Sequence, residues 1–131
     1  MRLRVIYLLL ALSLLLAPLP TLANSGEVIY VPISPFVTNY GGPGRLKYVK
    51  VDMTLMVTGV RNAQVIEDNL PLVRNTVVMN LSRQSENNVV TPRGQERIRQ
   101  QLLDDLRHVL ETQVGAPLVD EVLFTNFIYQ N

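Results

Sequence analysis

LKYVKVDMTLMVTG, residues 46–59, is the most regular stretch of this chain of 131 residues, because its apolar and polar side chains alternate. Every second position from Val49 to Val57 is apolar, the positions between them are mostly polar, and Gly59 ends the pattern. A period of two over this length is typical of a β-strand with one face in a core and the other in water. We therefore expect this strand to anchor a sheet.

The segment before this strand is extended but rich in proline. EVIYVPISPFV, residues 27–37, contains many β-branched and aromatic residues together with Pro32 and Pro35. Proline cannot donate a ladder hydrogen bond, so the segment is interpreted as an edge strand or an extended lead-in. The turn-forming NYGGPG follows at residues 39–44. These features predict a lead-in and turn over residues 24–44, ahead of an α+β domain over residues 45–131.

After Gly59 the period changes to that of a helix. One apolar face recurs at spacings of four, three, four and four, and Pro71 lies inside it and should break the helix near Asn69 or open a second segment. A second apolar row, at spacings of seven, consists of Val65, Leu72 and Met79. This row either packs between the sheet and the next helix, or meets a neighbouring subunit. The second alternative makes the three residues candidate interaction residues.

The segment TPRGQERIRQQLLDDLRHVLETQVGAP, residues 91–117, has clear helix boundaries. Thr91 suits an N-cap, Pro92 suits the first helical position, and Gly115 suits the stop. A buried stripe is expected at Ile98, Leu102, Leu106, Val109 and Leu110. Gly94 is unfavourable in the first turn, since alanine would be about 1 kcal/mol better in a helix interior. Close packing is one explanation for this glycine.

The last segment, EVLFTNFIYQN at residues 121–131, is the most sheet-prone part of the chain. It should keep Val122, Phe124, Phe127 and Ile128 from water by pairing beside residues 47–57, with part of each of its faces buried. The whole pattern predicts an α+β fold in which a small, mainly antiparallel sheet packs against two helices.

The sequence offers little for catalysis or metal binding. It has no cysteine, a formal net charge of +1, and no phosphate-binding glycine loop or nucleophile elbow, so an enzyme or a nucleic-acid binder is not expected. The single histidine, His108, shares a helix face with Asp104 and Glu111. Three such residues could form a metal triad, but a lone histidine on a polar face is more typical of a solvated surface. We expect no catalytic, cofactor or metal site.

The N-terminal residues MRLRVIYLLLALSLLLAPLPTLANS resemble a targeting segment. Arg2 and Arg4 precede an apolar run, Val5–Ala17, which spans about 20 Å as a helix, short of a hydrocarbon core of about 30 Å. Small residues near a cut after Ala23 complete the layout of a cleaved secretory signal. The alternative is a short membrane anchor. On either reading, residues 1–23 direct the rest of the chain out of the cytoplasm.

Five segments, in order, resemble the flagellar basal body-associated FliL family over about residues 29–130. In the fourth of these segments, Thr91 and Gly94 also have the family's threonine-to-glycine spacing. The segments are YVPISPFVTN, RLKYVKVDMTL, LPLVRNTVVMNLSRQS, VVTPRGQERIRQQLLDDL and VDEVLFTNFIYQN.

The resemblance implies a non-enzymatic protein on the periplasmic side of the bacterial inner membrane, with a domain similar to the stomatin (SPFH) fold. It also implies homo-oligomerisation, as a ring in family members, and association with the stator proteins of the flagellar motor in support of rotation and motility. It implies no cofactor and no nucleic-acid partner, and contact with the inner membrane if the N-terminus is retained. The alternative is a soluble periplasmic binding or scaffold module on the same fold, unrelated to motility. A hydrolase is a weaker third alternative.

Overall fold

A computed structural model describes residues 26–131 of the protein, so the expected signal or anchor over residues 1–23 lies outside the described residues. Within this range the chain forms three strands and four helices. They are β1 (Val28–Tyr40), β2 (Lys47–Thr58), α1 (Val60–Asp68), α2 (Leu70–Ser82), α3 (Glu86–Val90), α4 (Pro92–Val114) and β3 (Val119–Gln130).

The three strands form one antiparallel sheet in the order β1-β2-β3. The alternating stretch is a strand, as its period predicted, and it lies at the centre of the sheet. β1 is an edge strand paired with β2 along its whole length, apart from a register shift between Ile33 and Phe36. Ile33 and Phe36 are buried in the same core as β2. The predicted boundary between a lead-in over residues 24–44 and a domain over residues 45–131 therefore lies between two strands of one hydrophobic core.

The helices cover one face of the sheet, with α2 against β1 and α4 against β3. Alternate β2 residues from Val49 to Val57 point into this core and are at most 1% exposed. The predicted stripe of α4 is confirmed, except that Val109 is only partly buried. No described helix covers the opposite face of the sheet, where the side chains of β2 are partly to largely exposed.

The expectation of two helices is wrong for the described part of the chain, which has four. Pro71 lies in the first turn of α2, and the chain leaves helical geometry at Asn69, where φ is −116°. This break divides the first expected helix into α1 and α2, as the position of Pro71 predicted. The five-residue α3 was not expected, because it is too short to show a helical period. Ser85 caps it by accepting a hydrogen bond from the Asn88 N–H.

The boundaries of α4 are those that the sequence predicted. The Thr91 hydroxyl accepts a 3.0 Å hydrogen bond from the Gly94 N–H, and Gly115 ends the helix in the left-handed conformation with φ of 89°. Gly94 is explained by close packing against α3. A Cβ added there would lie 2.4 Å from both the Cα and the backbone oxygen of Asn88, so no larger residue fits without a backbone shift.

β3 lies antiparallel beside β2, as expected, but it is less buried than its apolar residues suggested. Val122 is fully buried, whereas Phe124 and Phe127 are partly buried, with ring centroids 5.3 Å apart. Ile128 is 52% exposed, so the expectation that pairing removes it from water is wrong. It pairs with Lys50, whose side chain lies on the face that no helix covers.

Candidate interaction surfaces

The predicted row of Val65, Leu72 and Met79 is divided between two helices. Val65 lies on α1, while Leu72 and Met79 lie two turns apart on α2. Val65 and Leu72 are half-buried, and Leu72 packs partly against the core. Met79 is 48% exposed. The row therefore has an inner end that supports the fold and an outer end, Met79, that is available to a partner.

Arginines from α4 bind the start of β3. Arg99 bonds to Glu121 of β3 and, at 2.5 Å, to Glu96 of its own helix. Its bond to Arg99 lowers the pKa of the Glu96 carboxyl, and the same contacts raise the pKa of the guanidinium. About two helical turns further on, Arg107 donates to the Val119 carbonyl at 2.5 Å. These contacts fix the angle of β3 against α4.

A second ionic contact joins α3 to the beginning of β2. Lys47 Nζ lies 2.5 Å from the Glu86 carboxylate, which also accepts a 3.1 Å hydrogen bond from the Asn131 amide. The Lys47 ammonium and the Asn131 amide lower the pKa of Glu86, since both stabilise its charged form. Next to this pair, burial raises the pKa of the Tyr40 hydroxyl, and the charge of Glu86 adds to the effect.

A polar groove of about 480 Å³ lies where α2, α3 and α4 meet. Its walls are joined by side-chain amides: Gln84 donates to Gln101 at 2.9 Å and accepts from Asn88 at 3.1 Å, and Asn80 donates to Asp105 at 2.8 Å. Asn80 and Gln84 are almost fully buried. The amides satisfy one another, so the groove has a clear structural role in joining three helices.

The uncovered face of the sheet carries apolar residues that the sequence reasoning did not identify as surface. Tyr30 and Val37 on β1 and Ile128 on β3 are each more than half exposed. On β2 the alternation identified the outer side correctly, because that side is mostly polar. β1 and β3 have apolar residues on both faces, so the period alone could not assign them. Apolar residues on both faces of an edge strand were the sequence feature that could have indicated exposed apolar surface.

The residues of the proposed metal triad lie on the surface. His108, Asp104 and Glu111 are all exposed, and no group of three acidic, histidine or cysteine residues in the range 26–131 is placed to hold a metal ion. Across the same range, no helix has the length and apolar character needed to cross a membrane.

Comparison with known proteins assigns the chain to a family. The family model for the flagellar basal body-associated protein FliL matches residues 30–130, which include all of the described strands and helices except the first two residues of β1. The flagellar protein FliL of Aquifex aeolicus (strain VF5) is 26% identical over 103 residues, which cover 79% of this chain but only 62% of that relative. The resemblance of the five sequence segments is thus confirmed, as is the expectation of a non-enzymatic protein. The chain belongs to the FliL family of flagellar basal body-associated proteins.

Proposed function

We propose that this protein acts without catalysis in the periplasm, where it self-associates beside the flagellar motor and supports the stator, and hence rotation and motility. The match to the FliL family over residues 30–130 carries the proposal. The exposed end of the helical row supports it, since Met79 offers apolar surface to a partner. The proposed domain resembles the stomatin fold and assembles as a collar or ring.

Such a collar works by preferring one state of its partner. A binding protein shifts a conformational equilibrium only through a difference in affinity for the two states. The collar must therefore bind the engaged stator more tightly than the free one. Repetition of the same weak contact around a ring raises the total affinity without any new contact.

The apolar run near the N-terminus supports placement on the periplasmic side of the inner membrane. If residues 1–23 are removed after Ala23, the protein is a periplasmic member of the assembly; if they are retained, they tether it to the membrane. The intact mass of the protein recovered from cells distinguishes the two forms. Loss of residues 1–23 is the expected result.

Deletion of the gene, scored for swimming, swarming and the number of flagella per cell, tests the role in motility. The proposal expects normal flagellar number with reduced motility. Normal motility on both media would contradict it, and would favour a periplasmic binding or scaffold module unrelated to motility.

Self-association through the helical row has its own test. Met79→Glu should lower the oligomeric mass in light scattering, with the circular dichroism spectrum near that of the wild type. Leu72→Glu should do the same if the row is an interface, whereas loss of the native spectrum would show that Leu72, which packs against the core, is an ordinary core residue. Met79→Glu is the cleaner variant, because this side chain is already 48% exposed. Asn75→Glu, at an exposed position of the same helix, is the matched control and should leave the mass unchanged. An unchanged mass for Met79→Glu would refute this interface.

A further inference from the structure

The methionines of the described range differ sharply in their exposure. Met79 is 48% exposed on α2, whereas Met53 is 1% exposed in the core. Met56 lies between these extremes, partly exposed on the sheet face that no described helix covers. The chain has no cysteine, so methionine provides its only sulfur atoms. Because oxidation of a side chain follows its exposure, the thioether of Met79 is the described sulfur that a dissolved oxidant reaches most readily.

A peroxide oxidises a thioether in a single two-electron step. The lone pair of the sulfur attacks one oxygen of hydrogen peroxide, so an S–O bond forms while the O–O bond breaks. The second oxygen leaves as water after it takes up the proton of the first. The sulfur is oxidised, the peroxide is reduced, and the products are methionine sulfoxide and water. Methionine sulfoxide reductases reverse the change, which makes it suitable for regulation.

Oxidation of Met79 changes the surface of α2 but not the core. The new S–O group forms at an exposed position, where water can hydrate it, whereas the same group at Met53 would be buried among apolar side chains. The backbone around Met79 is held by bonds that the reaction leaves intact. Its carbonyl accepts hydrogen bonds from the Ser82 hydroxyl and from Arg83 Nε, both at 3.0 Å. The oxidised protein is therefore expected to keep its fold.

We propose that Met79 is a reversible oxidation site, and that its conversion to the sulfoxide by a peroxide weakens self-association of the protein. The inference rests on the proposed association through the helical row. Oxidation turns a flexible apolar side chain into a polar one, so the exposed end of the row loses the apolar contact that it offers to a partner. Val65 and Leu72 contain no sulfur and stay unchanged. Association in turn covers Met79, so the unassembled protein is the form that reacts.

The site is tested first by its selectivity. Hydrogen peroxide is added to a dilute solution of the full chain, in the form recovered from cells, and the digested protein is followed by mass spectrometry over time. One added oxygen should appear first at Met79, and Met53 should react about tenfold more slowly or less, because it is shielded from solvent. Equal rates at these two residues would overturn the proposal whether or not the protein self-associates.

Light scattering before and after peroxide treatment measures the effect on association. The wild type should lose oligomeric mass on oxidation, keep its circular dichroism spectrum, and regain the mass after treatment with methionine sulfoxide reductases. Met79→Leu is compared with itself and should show the same mass before and after peroxide, since it has no sulfur at this position. Met56→Leu is the matched control and should lose mass as the wild type does, because Met56 lies on the other face of the sheet.

The outcomes separate this regulation from the interface on which it rests. An unchanged mass of the wild type when Met79 is fully oxidised would overturn the proposal, as would an equal loss of mass in Met79→Leu. If Met79→Glu lowers the mass and the sulfoxide does not, the interface stands and the regulation is wrong. If neither change lowers the mass, both are wrong.

Discussion

Removal of residues 121–131 should abolish cooperative unfolding of the domain. The deletion takes away Val122, which is fully buried, and Phe124 and Phe127, which are partly buried. A fully buried large apolar side chain contributes about 1.5–3 kcal/mol, so this set contributes about 4–5 kcal/mol once the exposed parts of the two rings are discounted. The total stability of a small domain is about 5–15 kcal/mol.

The loss goes beyond side-chain burial, because most of β2 would lose its hydrogen-bonded neighbour. β3 pairs with β2 from Tyr48 to Val57, so the deletion would leave most of the outer edge of a central strand in water. Unpaired backbone groups carry a further penalty where they remain buried. We therefore expect the fragment of residues 1–120 to accumulate poorly and to show no sigmoidal transition by circular dichroism in heat or urea.

A shorter deletion provides the control. Residues 128–131 are all exposed, so their removal should cost only about 1 kcal/mol and leave a cooperative transition. Cooperative melting of the 1–120 fragment near the full-length midpoint would refute the reasoning, because β3 would then lie outside the cooperative unit. An equal loss from both deletions would also contradict it, since burial would no longer determine the effect.

Two substitutions test the contacts of α3. Gly94→Ala should destabilise the domain by about 1–2 kcal/mol, because the clash with the Asn88 backbone outweighs the gain in helix propensity, and should lower the melting temperature by about 4–8 °C per kcal/mol. Gly26→Ala is the control and should be neutral, since an added Cβ there meets nothing within 4 Å. A Gly94→Ala protein more stable than the wild type would contradict the contact. Glu86→Gln should make the free energy of unfolding less sensitive to acid. The pKa of the Glu86 carboxyl is lowered in the folded state, so its pairing with Lys47 stabilises the fold at pH values above its ordinary pKa of 4.5. This stabilisation is lost as the pH falls through the lowered pKa of the folded state. Urea midpoints of both proteins at about pH 6 and about pH 3 measure this difference, and equal acid sensitivity would refute it.

Much of the fold was predictable because local chemistry and tertiary packing agree. Alternation identified β2 as a half-buried strand, and β1 and β3 pair with its two sides. Thr91, Pro92 and Gly115 defined α4 through capping and backbone geometry, which depend on a few adjacent residues. Pro71 determined the break before α2 in the same local way.

The features that escaped prediction lie in short segments or depend on tertiary packing. α3 has five residues, and its helical form depends on the Ser85 cap and on close packing with Gly94. The exposure of Ile128 depends on which sheet face the helices cover, and β3 has apolar residues on both faces. The interaction residues are the least predictable, because a surface position accepts many residue types without loss of stability and its sequence pattern therefore does not indicate a partner. Val65, Leu72 and Met79 therefore stay a prediction.

The uncovered face of the sheet is a poor site for association, so the helical row at Met79 is the better candidate. Its apolar residues lie on the flanking strands, whereas the centre carries Lys50, Asp52 and Thr54 of β2. One carboxylate oxygen of Asp52 is already buried and has no hydrogen-bond partner among the described residues. A partner laid across the face would remove the remaining water from Asp52 and Lys50, and uncompensated burial of a charge is strongly unfavourable. Met79 lies on α2, which packs on the other face of the sheet, so association through Met79 leaves both charges hydrated.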